Sequence, residues 1–156
     1  MRIVEIRRAK LRDAYSIENI FSSTVRKINR KDYNQKQIEV WASFAESNCW
    51  KTIISSQKVW VAEIKNELVG FCSLTANGVF NFLYVHHNYQ RQGIASALQE
   101  VLESEAVDEN HHTVYAKVSI TARPFFQRKG YKVKKIEHHE IKGVFFSRAI
   151  MEKELF

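Results

Sequence analysis

The residues from Tyr84 to Leu98 constrain the fold more than any other part of the chain. An apolar strand ends near Val85, a short polar turn follows, and an amphipathic helix begins directly after Gly93. The first amides of a helix have no partner within the helix, and the helix dipole places partial positive charge there. Glycine at this junction lets an anion approach the backbone, and Arg91 adds a full positive charge. The segment therefore predicts a site for a phosphate-containing ligand, with an ordinary strand-to-helix connection as the alternative.

The chain has the size and composition of one domain. It contains 156 residues, of which 45% are hydrophobic, which is the usual size for one domain with a core and too short for two substantial domains. Residues 1–8 do not resemble a signal peptide, and no apolar run approaches the roughly 20 residues that a membrane-spanning helix needs. We therefore expect residues 1–156 to form a single soluble domain in the cytoplasm, without a membrane partner.

The positive charge of the chain suits an anionic partner but does not identify one. The formal net charge is +7, which is compatible with nucleic acid, a membrane surface or a phosphorylated cofactor. The basic residues lie in short scattered groups such as Arg7-Arg8, without the interleaved aromatic residues of a nucleic-acid surface. We therefore do not expect nucleic acid to be the partner.

Cysteine and histidine residues do not have the spacing of a metal site. Cys49 and Cys72 are far apart, and we expect both to be reduced. Three pairs of adjacent histidines begin at His86, His111 and His138. Neighbouring side chains on a strand point to opposite faces, and no further ligand residues accompany these pairs. We therefore expect no metal ion.

Hydrophobic periodicity predicts seven strands and at least four helical segments. The predicted strands are Ile3–Arg7, Val59–Glu63, Glu67–Leu74, Val79–Val85, Thr113–Val118, Tyr131–Glu137 and Gly143–Met151. The predicted helices begin at Asp13, span Asn34 to about Ala45, follow Gly93 and begin at Arg123-Pro124, with a short turn over Cys49–Ile54. An exposed final strand would offer an edge along which a second copy of the chain could pair in a homodimer.

Two motifs resemble those of the Gcn5-related N-acetyltransferases. The segment from Gln90 to Ala95 is similar to the acetyl-coenzyme A signature Gln/Arg-x-x-Gly-x-Gly/Ala of that family. The segment from Ala122 to Tyr131 is similar to its later Ala-x-x-Phe-Tyr-x-x-x-Gly-Phe pattern, and the order of elements agrees over essentially the whole chain. The resemblance implies an α+β fold with α/β/α layers. About four helices would flank a mixed, mostly antiparallel sheet of about seven strands, splayed between the fourth and fifth strands.

The resemblance also implies acetyl-coenzyme A as the acyl donor. Its pantetheine arm is expected to enter the splay and pair with the backbone of Leu83 and Val85, as an added strand would. The backbone amide of Val85 is expected to polarise the thioester carbonyl. The residues that the resemblance predicts to bind the cofactor are Leu83, Tyr84, Val85, Gln90, Arg91, Gln92, Gly93, Ile94, Ala95, Ser96, Ser119, Phe125, Phe126 and Arg128.

The proton donor of many family members is absent from this chain, because the tyrosine of their Phe-Tyr pair is replaced by Phe126. Tyr131 is a possible substitute that also fits a packed ring, and the phenol of Tyr84 is expected to face either the thioester or solvent. Ser119 replaces an asparagine common in the family, and its hydroxyl is a weak acid that could hold a water or the cofactor. Departure of the thiolate without a protein acid is the remaining alternative.

The acceptor side of the reaction needs a base and a pocket. Glu63, at the end of a predicted strand, is the candidate base, with a solvated hairpin carboxylate as the alternative. Asn81 cannot accept a proton, so we expect it to hydrogen-bond the acceptor. We expect Tyr33 and Trp41 to line the acceptor pocket. A water relay to bulk solvent would need no dedicated base.

The sequence thus predicts an enzyme that moves an acetyl group directly from acetyl-coenzyme A to a primary amine of a small molecule or a protein. Transfer of another acyl group on the same scaffold is a second possibility. Phe126 keeps a different class of function open, namely a weak or inactive relative that senses coenzyme A or binds a partner through its basic surface.

Overall fold

The computed structural model describes residues 3–44 and 49–156. Within these residues, seven strands form one sheet in the order β1-β2-β3-β4-β5-β7-β6, and five α-helices accompany it. The strands are β1 Glu5–Arg8, β2 Lys58–Ile64, β3 Glu67–Leu74, β4 Val79–Val85, β5 Thr113–Val118, β6 Lys132–Ile141 and β7 Val144–Glu154. The helices are α1 Ala14–Lys27, α2 Gln35–Ala42, α3 Trp50–Ser56, α4 Ile94–Asp108 and α5 Arg123–Arg128. The predicted fold class is confirmed: the sheet is antiparallel except for the parallel pair β4–β5.

Two hydrophobic cores cover the two faces of the sheet. On one face, α4 buries Leu98 and Leu102 against the strands, and α5 packs beside it. On the other face, α1 buries Ile17 and Phe21, which recur at helical spacing, and α2 and α3 complete the layer. The resulting three layers are those that the sequence predicts. No helix in the described part of the chain is long and apolar enough to cross a membrane.

Most element bounds differ from the predicted ones by a few residues at the ends. The predicted short turn after Cys49 is the regular helix α3. Helix α2 ends at Ala42, and the predicted end at Ala45 lies outside the described residues. Strands β3, β4 and β5 have the predicted bounds, because each is a short apolar run between clear turn residues.

The expectation of an exposed final strand is wrong. Strand β7 lies inside the sheet, where it pairs with β5 on one side and with β6 on the other. The edges of the sheet are therefore β1 and β6. The cause is the tight turn at Lys142 and Gly143, both with positive φ, which folds β7 back along β6 and inserts it next to β5. Residues 149–152 of β7 are paired on both sides and offer no edge to a second copy of the chain.

Strand β4 parts from β5 soon after both have begun. The two strands pair only at Val79 with Tyr115 and at Phe80 with Ala116. On its other side, β4 carries a bulge at Asn81, since consecutive residues of β3 pair with the residues before and after it. The predicted splay between the fourth and fifth strands is thus confirmed, and it opens a gap in the sheet.

An ion-pair network joins the start of the chain to the sheet. The Arg7 guanidinium donates from Nη1 to Asp13 Oδ2 at 2.8 Å and from Nη2 to Oδ1 at 3.0 Å. It also binds the carboxylate of Glu63 in β2. Asp13 is buried and accepts a further hydrogen bond from the Lys10 N–H at 2.7 Å. These bonds, above all those from Arg7, hold the pKa of Asp13 below its usual value.

We predict that Asp13→Asn lowers the free energy of unfolding by about 1–3 kcal/mol at pH 7, because the guanidinium loses a charged acceptor. The folded-state pKa of Asp13 is depressed, so its carboxylate stabilises the fold above the unfolded-state pKa of about 3.9. This stabilisation disappears as the pH falls through the folded-state pKa. Denaturant titrations at neutral and acid pH should show the difference between wild type and variant shrinking under acid conditions. Asp108→Asn, at an exposed site, is the control, and equal losses in both variants would contradict the prediction.

Candidate active site

A cavity of about 1030 Å³ opens at the gap between β4 and β5. On one side, here called the phosphate side, it is lined by the turn and first residues of α4, together with α5. On the other, here called the aromatic side, it is lined by Tyr33, Trp41, Phe146, His139 and Arg148. Strand β4 runs between the two sides, so groups on this strand face both.

The backbone of β4 turns hydrogen-bonding groups toward the gap. The N–H of His86 donates to the carbonyl of Val69 at 2.8 Å, on the β3 edge. Because backbone groups alternate between the two edges of a strand, those of Leu83 and Val85 point to the opposite edge, where β5 has diverged. An extended ligand in the gap would find these groups as its partners.

Two side chains secure the end of β4. The Val85 carbonyl accepts hydrogen bonds from Gln90 Nε2 at 2.6 Å and from Thr24 Oγ1 at 3.2 Å. Gln90 therefore ties the turn back to the strand, and Thr24 ties α1 to it. With the carbonyl engaged, the N–H of Val85 is the donor that this residue turns toward the gap.

The turn before α4 leaves an open cradle at the helix N-terminus. Gly93 has a φ of +80°, and no heavy atom outside its immediate neighbours lies within 4 Å of the position that a Cβ would occupy. No side chain in the described part of the chain caps the helix, and the first three amides, Ile94, Ala95 and Ser96, have no partner within it. Arg91 is exposed and lines the same part of the cavity. Residues 93–96 thus offer several N–H donors and room for an anion.

Helix α5 closes the phosphate side with Phe125, Phe126 and Arg128. Phe126 is 3% exposed, and its ring lies against Phe80 at 5.1 Å and against Tyr131 at 5.0 Å between centroids. An apolar ring is therefore well suited to this position, where the resemblance implies a tyrosine in many family members.

Tyr131 is a packed ring and not a donor in the cavity. It is buried, and its hydroxyl donates to Glu103 Oε2 of α4 at 2.8 Å. Burial and the neighbouring carboxylate raise the pKa of Tyr131. The prediction that the Tyr131 ring is packed in the core is confirmed.

Tyr84 of β4 lines the cavity, as Tyr33 and Tyr89 do. Its ring lies against Phe21 at 4.9 Å and against Phe71 at 5.6 Å, on the α1 face of the sheet. Burial raises the pKa of this phenol, and the neighbouring Trp41 side chain opposes the shift. Tyr84 therefore stays protonated at neutral pH, and its side chain is half-buried.

The loop between β5 and α5 is held by Ser119 and Tyr33. Ser119 Oγ accepts a hydrogen bond from the Ala122 N–H at 3.2 Å, and the Tyr33 hydroxyl accepts one from the Ile120 N–H at 2.9 Å. Both side chains line the cavity. Their hydrogen bonds favour a role in shaping the site.

The structure does not bring every predicted site residue to the cavity. Glu63 is absent from its described lining, because this carboxylate is engaged by Arg7 at the β1–β2 end of the sheet. Its assignment as the base is corrected accordingly. Gln92, in the turn, is likewise not among the lining residues, whereas Asn81 and Trp41 are.

Sequence reasoning missed three residues of the aromatic side. His139 of β6 stacks on Phe146 of β7, with ring centroids 5.4 Å apart, and Arg148 lies two residues further along β7. His139 Nδ1 is buried and has no hydrogen-bond partner in the described structure. Burial lowers the pKa of His139, Arg148 and Lys117 act in the same direction, and Glu137 opposes them. The strand alternation of β6 and β7 could have indicated these residues, but only with the register of the two strands known.

Comparisons with known proteins agree with this geometry. The profile of the acetyltransferase (GNAT) domain family matches residues 29–155. The chain is 35% identical over 151 residues to the "uncharacterized N-acetyltransferase YafP" of Escherichia coli (strain K12), covering 97% of this chain and 96% of that protein.

Solved structures share the fold closely. A GCN5-related N-acetyltransferase from Rhodopseudomonas palustris superposes with a TM-score of 0.93 at 28% identity, covering 97% of this chain and 95% of that one. The PaiA N-acetyltransferase from Thermoplasma acidophilum, in complex with coenzyme A, superposes with a TM-score of 0.81 at 21% identity, covering 97% of this chain and 99% of that one. The chain belongs to the GNAT family of N-acetyltransferases.

Proposed function

We propose that the protein transfers an acetyl group from acetyl-coenzyme A directly to a primary amine. The observation that carries this proposal is the continuity of one cavity from the cradle at Gly93, along the β4 backbone, to the aromatic side. The fold neighbour PaiA is described in complex with coenzyme A, which supports the choice of donor. The acceptor is either a small molecule or a side chain or terminus of a protein.

The residues of the phosphate side fit a pyrophosphate. The free amides at residues 94–96 and the space at Gly93 suit its oxygens, and Arg91 and Arg128 supply positive charge. The backbone of Leu83 and Val85 suits the amides of a pantetheine arm. Acetyl-coenzyme A would supply the acetyl thioester at the point where the gap meets the aromatic side.

Three groups of the chain would carry the chemistry. The N–H of Val85 donates to the thioester carbonyl oxygen, where negative charge develops. His139 takes the proton that the attacking amine loses, and Tyr84 gives a proton to the departing sulfur. His139 suits this role because its lowered pKa keeps the ring neutral at physiological pH. A half-buried, protonated phenol suits the role of the acid.

We predict that Gly93→Ala weakens acetyl-coenzyme A binding by about tenfold or more, because a Cβ enters the space that the pyrophosphate needs. Gly143→Ala is a matched control: its φ of +79° is nearly that of Gly93, at +80°, its Cβ also meets no described atom within 4 Å, and Gly143 is not among the residues that line the cavity. Calorimetric titration of both folded variants measures the two affinities. Similar affinities in the two variants would overturn the placement of the pyrophosphate.

We predict that Tyr84→Phe lowers kcat by about 100-fold and leaves acetyl-coenzyme A affinity unchanged, because the departing sulfur loses its acid. The control is Tyr131→Phe, which removes a buried phenol bonded to Glu103 outside the cavity. Thiol release under saturating substrates gives kcat. An unchanged kcat in Tyr84→Phe would indicate departure of the thiolate without a protein acid, and binding without turnover in the wild type would favour a sensor.

We predict that His139→Gln lowers kcat/KM for the amine by about 100-fold near neutral pH. The folded-state pKa of His139 lies below 6.5, so the wild type loses its advantage over the variant only as the pH falls below that value. The two kcat/KM values are measured against pH and compared as a ratio, because protonation of the amine itself affects both equally and cancels. His138→Gln, on the exposed neighbour, is the control. A constant ratio across the pH range would remove His139 from the mechanism.

A further inference from the structure

The described lining of the cavity contains cations but no carboxylate. The lining cations are Lys31, Arg91, Lys117, Arg128, Lys142 and Arg148. The whole chain has 24 Lys and Arg residues against 17 Asp and Glu, so its net charge alone does not account for a wall without acids. The proposed cofactor uses only Arg91 and Arg128, on the phosphate side. The other four cations have no part in the proposed cofactor site, and Arg148 among them lies on the aromatic side.

Arg148 has donor capacity left for a ligand. Its Nε and Nη2 both bind Oε1 of Glu137, the former at 2.9 Å, and its Nη1 has no hydrogen-bond partner in the described structure. Glu137 is not among the residues that line the cavity, and the hydrogen bonds and charge of Arg148, more than the charges of Lys135 and Lys117, lower its pKa. One carboxylate beneath several cations leaves net positive charge facing the cavity. A guanidinium in this state binds a carboxylate through a charge-assisted hydrogen bond.

Aromatic rings surround this charge. Tyr33 and Trp41 meet edge to face at 4.9 Å between centroids, and Phe146 lies 6.4 Å from each. The wall that carries Arg148 therefore also presents apolar surface to an acceptor. An acceptor with a second ammonium group would instead meet uncompensated positive charge.

We propose that the acceptor is a primary amine that also bears a carboxylate and an apolar body, as an α-amino acid with an aromatic or aliphatic side chain does. The carboxylate binds Nη1 of Arg148, and the apolar body packs against Trp41 and Phe146. This inference rests on the proposed function. It excludes polyamines and lysine-rich peptides as the preferred acceptors.

The test compares amines that differ only in the carboxylate. The matched pairs are phenylalanine with phenethylamine, leucine with 3-methylbutylamine, and tryptophan with tryptamine. Each ligand is titrated calorimetrically into the protein saturated with coenzyme A, and each is assayed as an acceptor with acetyl-coenzyme A. We expect at least one amino acid to bind, and to be acetylated, about tenfold or more better than its decarboxylated partner.

The variant Arg148→Gln should reduce that preference to near unity, and the ratio within each pair cancels any effect of the lost charge on His139. Lys135→Gln is the control, because Lys135 also lies near Glu137 but does not line the cavity. This variant should keep the preference of the wild type. The ligand comparison in the wild type stands by itself if Arg148→Gln does not fold.

The outcomes separate this inference from the proposed function. Acetylation of the decarboxylated amines as fast as the amino acids would overturn the inference and leave the transferase standing. Selective binding of an amino acid to the coenzyme A complex without any acetyl transfer would support the inference and overturn the proposed function. Binding of neither member of any pair would overturn the inference.

Discussion

The site depends on the early end of the pairing between β4 and β5. Only two residue pairs join these strands before the bulge at Asn81 and the divergence beyond it. Were the pairing to continue, the backbone groups of Leu83 and Val85 would be consumed by β5 and no gap would exist. Gly70 of β3 helps to hold β4 in this path, since a Cβ there would lie only 3.0 Å from the Tyr84 carbonyl oxygen. The cavity is therefore a consequence of sheet geometry, which the helices then line.

Local patterns predicted the parts of the site that local sequence determines. The strand, turn and helix around Gly93 could be identified because apolar periodicity and a left-handed glycine are properties of a few neighbouring residues. The same holds for Tyr33 and Trp41, which lie in one short aromatic-rich segment and do reach the cavity. Their roles toward an acceptor stay predictions.

Features that depend on contacts between residues distant in sequence could not be predicted from local patterns. Glu63 has the chemistry of a base, but Arg7, 56 residues away in sequence, holds it in an ion pair. The place of β7 between β5 and β6 depends on strand order, which periodicity does not encode. His139 could be told from His138 only through its register opposite Phe146. These features are set by tertiary pairing, so the amino-acid pattern of one segment does not reveal them.

The phenol that is absent at Phe126 is supplied by Tyr84 of β4 in the proposed mechanism. The ring of Phe126 packs against Phe80 and Tyr131, which an apolar side chain does without burying a polar group. The Tyr131 hydroxyl already donates its hydrogen bond to Glu103, whereas Tyr84 lines the cavity. Under the proposed mechanism, the acid and the carbonyl-polarising amide are then adjacent residues of β4, one acting from the face of the strand and the other from its edge. Any change in the twist of β4 would move both together, so the geometry of a single strand governs both requirements of the transfer.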